Sequence, residues 1–280
     1  MAHIQVKDGT KIFYYDWGQG RPVVLIHGWP LTSASWECQA RLLAESGHRV
    51  IAYDRRGFGQ SDWAYGGYDF DTLASDLNEL MESLDLKSAT LVGFSMGSGE
   101  VARYLARYGS GRVAKAVLIS AVTPYLLKTK DNPEGVEGKV FDQMVDALKQ
   151  DRAEFLKNFW LKFYGRTMVH HTVSEALIEF TQMMAMTGSP KATIDLVRAW
   201  SETDFRKDLV RITVPTLVIH GTGDETVPIH VAGRRTATLI PGAELLEYDR
   251  APHGLTVTSA NRLNADLLEF LRRETVEKER

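Results

Sequence analysis

Apolar residues along the chain follow two alternating periods, and that alternation predicts a layered α/β fold. Residues 4–7 and 11–17 read as short strands around Asp8-Gly9-Thr10, because Asp-Gly between strand-like runs signals a hairpin. Pro22-Val23-Val24-Leu25-Ile26 is apolar without alternation, which suits a strand covered on both faces of a parallel sheet. Helix-like and strand-like segments then take turns over 35–46, 49–53, 70–84, 90–93, 97–108 and 113–119. Leu73, Leu77, Leu80 and Leu84 lie on one helical stripe. Repeated units of this length predict a mostly parallel sheet with helices on both faces.

Near Pro124 the rhythm breaks. Residues 124–205 hold almost no strand-like run and four helical ones, over 140–150, 151–163, 174–186 and 191–200. The expectation is a helical cap at 124–205 inserted into a core domain built from 1–123 and 206–280. The core pattern resumes with a strand at 215–220, a helix near 230–239, a strand at 243–248 and a closing helix at 260–273.

Composition narrows the function classes. A hydrophobic fraction of 44% and a charged fraction of 25% are those of an ordinary soluble protein. A net charge of −3 gives no basic footprint for nucleic acid, and the mixed-sign stretch 274–280 reads as a solvated helix end. No apolar run approaches the roughly 20 residues of a membrane span, and the first nine residues lack a secretory apolar core. Cys38 is the single cysteine, so an intrachain disulfide is excluded. A cytoplasmic enzyme is the expected class.

Gly93-Phe94-Ser95-Met96-Gly97 supplies the chemistry. It matches G-x-S-x-G between an apolar strand and an amphipathic helix, the nucleophile elbow of an α/β-hydrolase fold. A serine hydroxyl needs an adjacent base to attack an acyl group, and that fold orders its residues serine, acid, histidine. After Ser95 the acid should leave a strand end, where Gly221-Thr222-Gly223-Asp224 follows the strand at 215–220. Asp224 comes directly after the glycines; Glu225 is its rival, and a helix-capping role is the plain alternative.

Of eight histidines, His253 in Ala251-Pro252-His253-Gly254 follows the last strand, where the base must originate. His27 and His220 end buried strands and read as structural, His230 lies too near Asp224, and His170 and His171 lack partners for a metal site. Oxyanion donors are expected at the Met96 N–H and the Trp29 N–H of His27-Gly28-Trp29-Pro30. Pro30 biases Trp29 toward extended backbone and fixes its carbonyl beside the site, unless it only shapes the turn.

With these residues, and Tyr53-Asp54-Arg55-Arg56-Gly57-Phe58-Gly59-Gln60-Ser61 and Asp131-Asn132-Pro133-Glu134-Gly135, the chain resembles the cofactor-free bacterial haloperoxidases, or perhydrolases, and related aryl esterases. The resemblance runs nearly end to end. It implies hydrolysis of small esters without metal or haem, a side reaction in which hydrogen peroxide replaces water, and assembly as a homo-oligomer. It also implies a substrate pocket at Trp29, Val122, Leu126, Phe159, Phe163, Trp200 and Val227. Phe159 and Phe163 are equally what a cap helix needs for packing. A γ-lactamase or amidase with the same triad is the alternative enzyme. Dehalogenases and epoxide hydrolases of this fold use a carboxylate nucleophile, which Ser95 disfavours. A non-catalytic ligand-binding scaffold is the alternative from another class.

Overall fold

The strand-like runs form eight strands: β1 (Ala2–Gln5), β2 (Lys11–Trp17), β3 (Arg21–Ile26), β4 (His48–Tyr53), β5 (Ala89–Phe94), β6 (Val113–Ile119), β7 (Thr216–Gly221) and β8 (Glu244–Tyr248). A computed structural model describes residues 2–273, and the stretch 274–280 lies outside them. The strands make one sheet in the order β1-β2-β4-β3-β5-β6-β7-β8. β1 and β2 are antiparallel at one edge, and the strands from β4 to β8 run parallel. Val23, Val24, Leu25 and Ile26 have no exposed surface, which is why β3 carries no alternating pattern.

Helices α1 (Glu37–Glu45), α2 (Phe70–Ser83) and α3 (Met96–Tyr108) cross between the parallel strands. Asp69 caps α2 through the Thr72 amide, at 2.9 Å. Leu73, Leu77 and Leu80 are buried on the predicted stripe, whereas Leu84, just past the helix end, is only half-buried.

Between β6 and β7 the chain leaves the sheet for α4 (Gly138–Phe163), α5 (Glu175–Met186) and α6 (Pro190–Glu202). The helices expected at 140–150 and 151–163 are both present as the two halves of α4, which meet at a break at Asp151, where φ is −153° and ψ 93°. Asp151 accepts from the Glu154 amide at 2.9 Å, so it caps the second half as a helix start would. The short α7 (Arg206–Leu209) leads to β7, and α8 (Gly233–Leu239), α9 (Leu255–Thr258) and α10 (Ala260–Arg272) follow among the described residues. Among the described residues no helix is long and apolar enough to cross a membrane.

Candidate active site

Ser95 sits at the junction of β5 and α3 with φ 53° and ψ −117°, a left-handed conformation that a non-glycine residue adopts only under tight constraint. Its neighbours supply that constraint. A Cβ on Gly93 would run into the Gly97 carbonyl and the Ser98 amide, and one on Gly97 into the Ile26 carbonyl. Glycine at both positions lets strand and helix approach closely enough to turn so sharply. The Ser95 N–H donates to the Ile119 carbonyl at 2.8 Å, and the Ser98 hydroxyl donates to the Ser95 carbonyl at 2.6 Å. Ser98 also accepts from the Val122 amide at 3.1 Å, so it braces the elbow from beneath.

Two loops bring the other groups to it. His253 Nε2 lies 2.9 Å from the Ser95 hydroxyl, and its Nδ1 lies 2.6 Å from Asp224 Oδ2. All three residues are buried. Asp224 leaves the end of β7, and its Oδ1 accepts from the Thr226 and Val227 amides at 2.9 and 2.7 Å. Burial alone would raise the Asp224 carboxyl, but the charge of His253 and hydrogen bonds from His220 and His253 hold it well below the ordinary carboxylate range. The rival Glu225 is exposed, as are His170, His171 and His230.

The loop after β3 closes the other side. Leu31 N–H donates to the Gly28 carbonyl at 3.0 Å, and the Trp29–Pro30 bond within that turn is cis. Among the described residues neither the Trp29 amide nor the Met96 amide has an intramolecular acceptor; Met96 is the first residue of α3, where no helical acceptor exists. Both residues line one cavity with Ser95 and His253.

That cavity measures about 580 Å³. Trp29, Val122, Phe159, Trp200 and Val227 line it, as the resemblance implies. The Trp29 ring stands 5.7 Å from Phe159 and 5.9 Å from Trp200, and its indole N–H donates to the Thr193 carbonyl at 2.9 Å. Leu126 and Phe163, expected beside them, lie behind the wall. Leu126 is 2% exposed, and its carbonyl accepts from the Val136 amide at 2.7 Å. Phe163 is turned from the cavity onto the His253 ring, with centroids 5.0 Å apart.

Sequence reasoning overlooked three groups. The Ser120 hydroxyl donates to the His253 carbonyl at 3.0 Å, and no motif marks that serine. His220, read as purely structural, donates through Nε2 to the Val227 carbonyl at 2.9 Å and lies 3.2 Å from Asp224 Oδ2. Glu100 of α3 forms a buried ion pair with Arg55 in the loop after β4, and Arg55 extends that link to the loop after β3. Arg55 donates through Nη2 to the His27 carbonyl at 2.7 Å and through its backbone amide to His27 Nε2 at 3.0 Å. Tyr53 donates to Glu100 Oε2 at 2.6 Å. Burial and the Arg55 charge push His27 well below the ordinary imidazole range, so it accepts from the Arg55 amide in neutral form.

Known proteins share this architecture. A family model described as alpha/beta hydrolase fold matches residues 21–259. The non-heme chloroperoxidase of Streptomyces lividans is 46% identical over 97% of this chain and 100% of its own. The bifunctional esterase/perhydrolase DCH of Acinetobacter calcoaceticus is 42% identical over 97% and 100%. The crystal structure of the bromoperoxidase from Bacillus anthracis superposes with a TM-score of 0.93 at 45% identity, covering 97% of this chain and 99% of that one. The chain therefore belongs to the α/β-hydrolase family, in its branch of non-heme haloperoxidases and esterase/perhydrolases.

Proposed function

We propose that the protein is a serine hydrolase that cleaves small carboxylic esters through an acyl-enzyme, with Ser95 as nucleophile, His253 as base and Asp224 as its orienting acid. One observation carries the reading: the continuous hydrogen-bonded line from Asp224 through His253 to the Ser95 hydroxyl, which ends in an apolar cavity. His253 Nε2 removes the Ser95 proton as Oγ bonds to the acyl carbon. The oxyanion that forms takes hydrogen bonds from the Trp29 and Met96 amides, whose positions at a helix start and a tight turn leave them free to donate. The proton then passes from His253 to the departing alkoxide, giving the alcohol.

Deacylation repeats these steps with an incoming nucleophile. Water yields the carboxylic acid and hydrogen peroxide yields the peracid, in each case restoring the Ser95 hydroxyl. The likeness to a bifunctional esterase/perhydrolase supports peroxide as a second acceptor. The Trp29 carbonyl would accept a hydrogen bond from it, and Pro30 would hold that carbonyl in place. Purified protein given an aryl acetate, with and without hydrogen peroxide, tests both halves. Release of the aryl alcohol that persists undiminished in Ser95→Ala would refute the nucleophile. An unchanged ratio of peracid to acid in Pro30→Leu would refute the role of Pro30.

A further inference from the structure

Helix α4 carries two apolar stripes where packing requires one. Phe141, Val145 and Leu148 fall at i, i+4 and i+7 and are buried. Val140, Met144 and Ala147 repeat that spacing one residue earlier, and they line the cavity that holds Ser95. Val140 keeps 42% of its surface exposed, and Met144 and Ala147 are half-buried, so the chain itself covers this stripe only in part. Val136, just before the helix, extends it. Phe141 packs edge-on against Trp200 with centroids 5.6 Å apart, which joins the stripe to the aromatic wall over Ser95. The seven residue steps from Val140 to Ala147 span roughly 10 Å of helix. Past Ala147 the cavity lining is mixed: Asp151, Glu154 and Lys162 carry both signs of charge, with Gln150, Phe155 and Asn158 among them.

We propose that this stripe is a subsite for an extended apolar arm of the substrate, a medium-length alkyl chain or a group of similar bulk. An acetyl or propionyl ester would leave the stripe in water, whereas a longer arm removes it from solvent at a gain of roughly three- to fourfold in affinity per buried methylene. The arm belongs to either the acyl or the alcohol part of the ester. The proposal rests on the hydrolase reading of the same cavity.

Two substrate series test it on the purified protein. The first holds p-nitrophenol constant and lengthens the acyl group from acetate to hexanoate; the second holds acetate constant and lengthens the alcohol. The expected result is a rise in kcat/KM of at least about tenfold along one series, and which series rises assigns the arm to acyl or alcohol. Met144→Asp should lower the ratio of long-chain to acetate rates at least fivefold. Ala147→Trp, which fills the stripe rather than charging it, should do the same. Lys149→Glu, on the exposed side of α4, should leave the ratio alone. Flat or falling rates in both series, or unchanged ratios in Met144→Asp and Ala147→Trp, would overturn the subsite. Ser95-dependent acetate cleavage under those outcomes would leave the hydrolase reading standing. Failure to cleave even acetate would refute the hydrolase reading itself, and the subsite with it.

Discussion

Phe163 holds His253 from two directions: its ring lies edge-on to the imidazole at 5.0 Å, and its carbonyl accepts the Gly254 amide at 2.8 Å. The helix inserted between β6 and β7 therefore touches the base directly as well as roofing the pocket. Phe163→Ala should lower kcat about tenfold, the rate equivalent of about 1.4 kcal/mol, with little change in KM for a small aryl acetate. Stability should fall by about 3–5 kcal/mol, since a buried aromatic is truncated. Steady-state kinetics and denaturant unfolding check both; a KM effect alone would return Phe163 to the substrate pocket.

Asp224 receives hydrogen bonds on both oxygens, and its charge is needed to set the His253 tautomer. Asp224→Asn preserves shape but presents an amide where His253 Nδ1–H requires an acceptor. kcat should drop by about 10⁴-fold while the fold remains intact by circular dichroism. A loss below tenfold would place the orienting acid elsewhere.

The Arg55–Glu100 pair joins the nucleophile helix to the loop that carries Trp29, and both members are buried. Glu100→Leu strands the Arg55 charge and should destabilise the protein by about 3–5 kcal/mol. Thermal unfolding would then shift down by roughly 10 °C. Adding Arg55→Met should recover much of that loss, because no unpaired charge remains. Without recovery, the pair's role would extend beyond mutual neutralisation.

Asp8, in the hairpin between β1 and β2, accepts from the buried Arg56 guanidinium at 2.8 Å and from the Thr10 amide at 3.0 Å. Slight burial acts to raise its carboxyl, but the Arg56 and Thr10 hydrogen bonds prevail and push it down to about 2. A depressed folded-state value means stability that is fully present above the ordinary carboxylate range and lost as pH falls toward 2. The Asp8 side chain is half exposed, so the effect should be at most about 1 kcal/mol. Asp8→Asn should therefore lower stability near neutrality and converge with the parent protein at the acid end. Unfolding curves across pH 2–7 check this, and a difference that grows toward acid would contradict it.

The strands and the elbow were legible because their signals are local. The unbroken apolar run at 22–26, the apolar stretch 116–119 and the glycines flanking Ser95 state their own geometry. Asp224 and His253 were readable because each follows a strand end, and strand order places those ends along one edge of the sheet. The wall of the pocket was not. Phe159 and Phe163 share one helical stripe, yet Phe159 lines the cavity and Phe163 packs beneath it on His253. The break at Asp151 reorients α4 midway, and a one-dimensional period carries no record of which stripe then meets solvent. Ser120 reaches His253 across 133 residues of chain and Arg55 reaches Glu100 across 45, contacts that only folding creates, and His220 turns onto Asp224 with no local signal of that orientation.

The central claim is that Ser95 is acylated in turnover. Rapid acid quench of the protein mixed with p-nitrophenyl acetate, followed by peptide mass spectrometry, tests it most directly. The expected result is one acetyl group on the peptide containing Ser95, formed within the burst of p-nitrophenol and lost as turnover proceeds. Acetyl found only on another residue, or a burst that persists in Ser95→Ala, would contradict it.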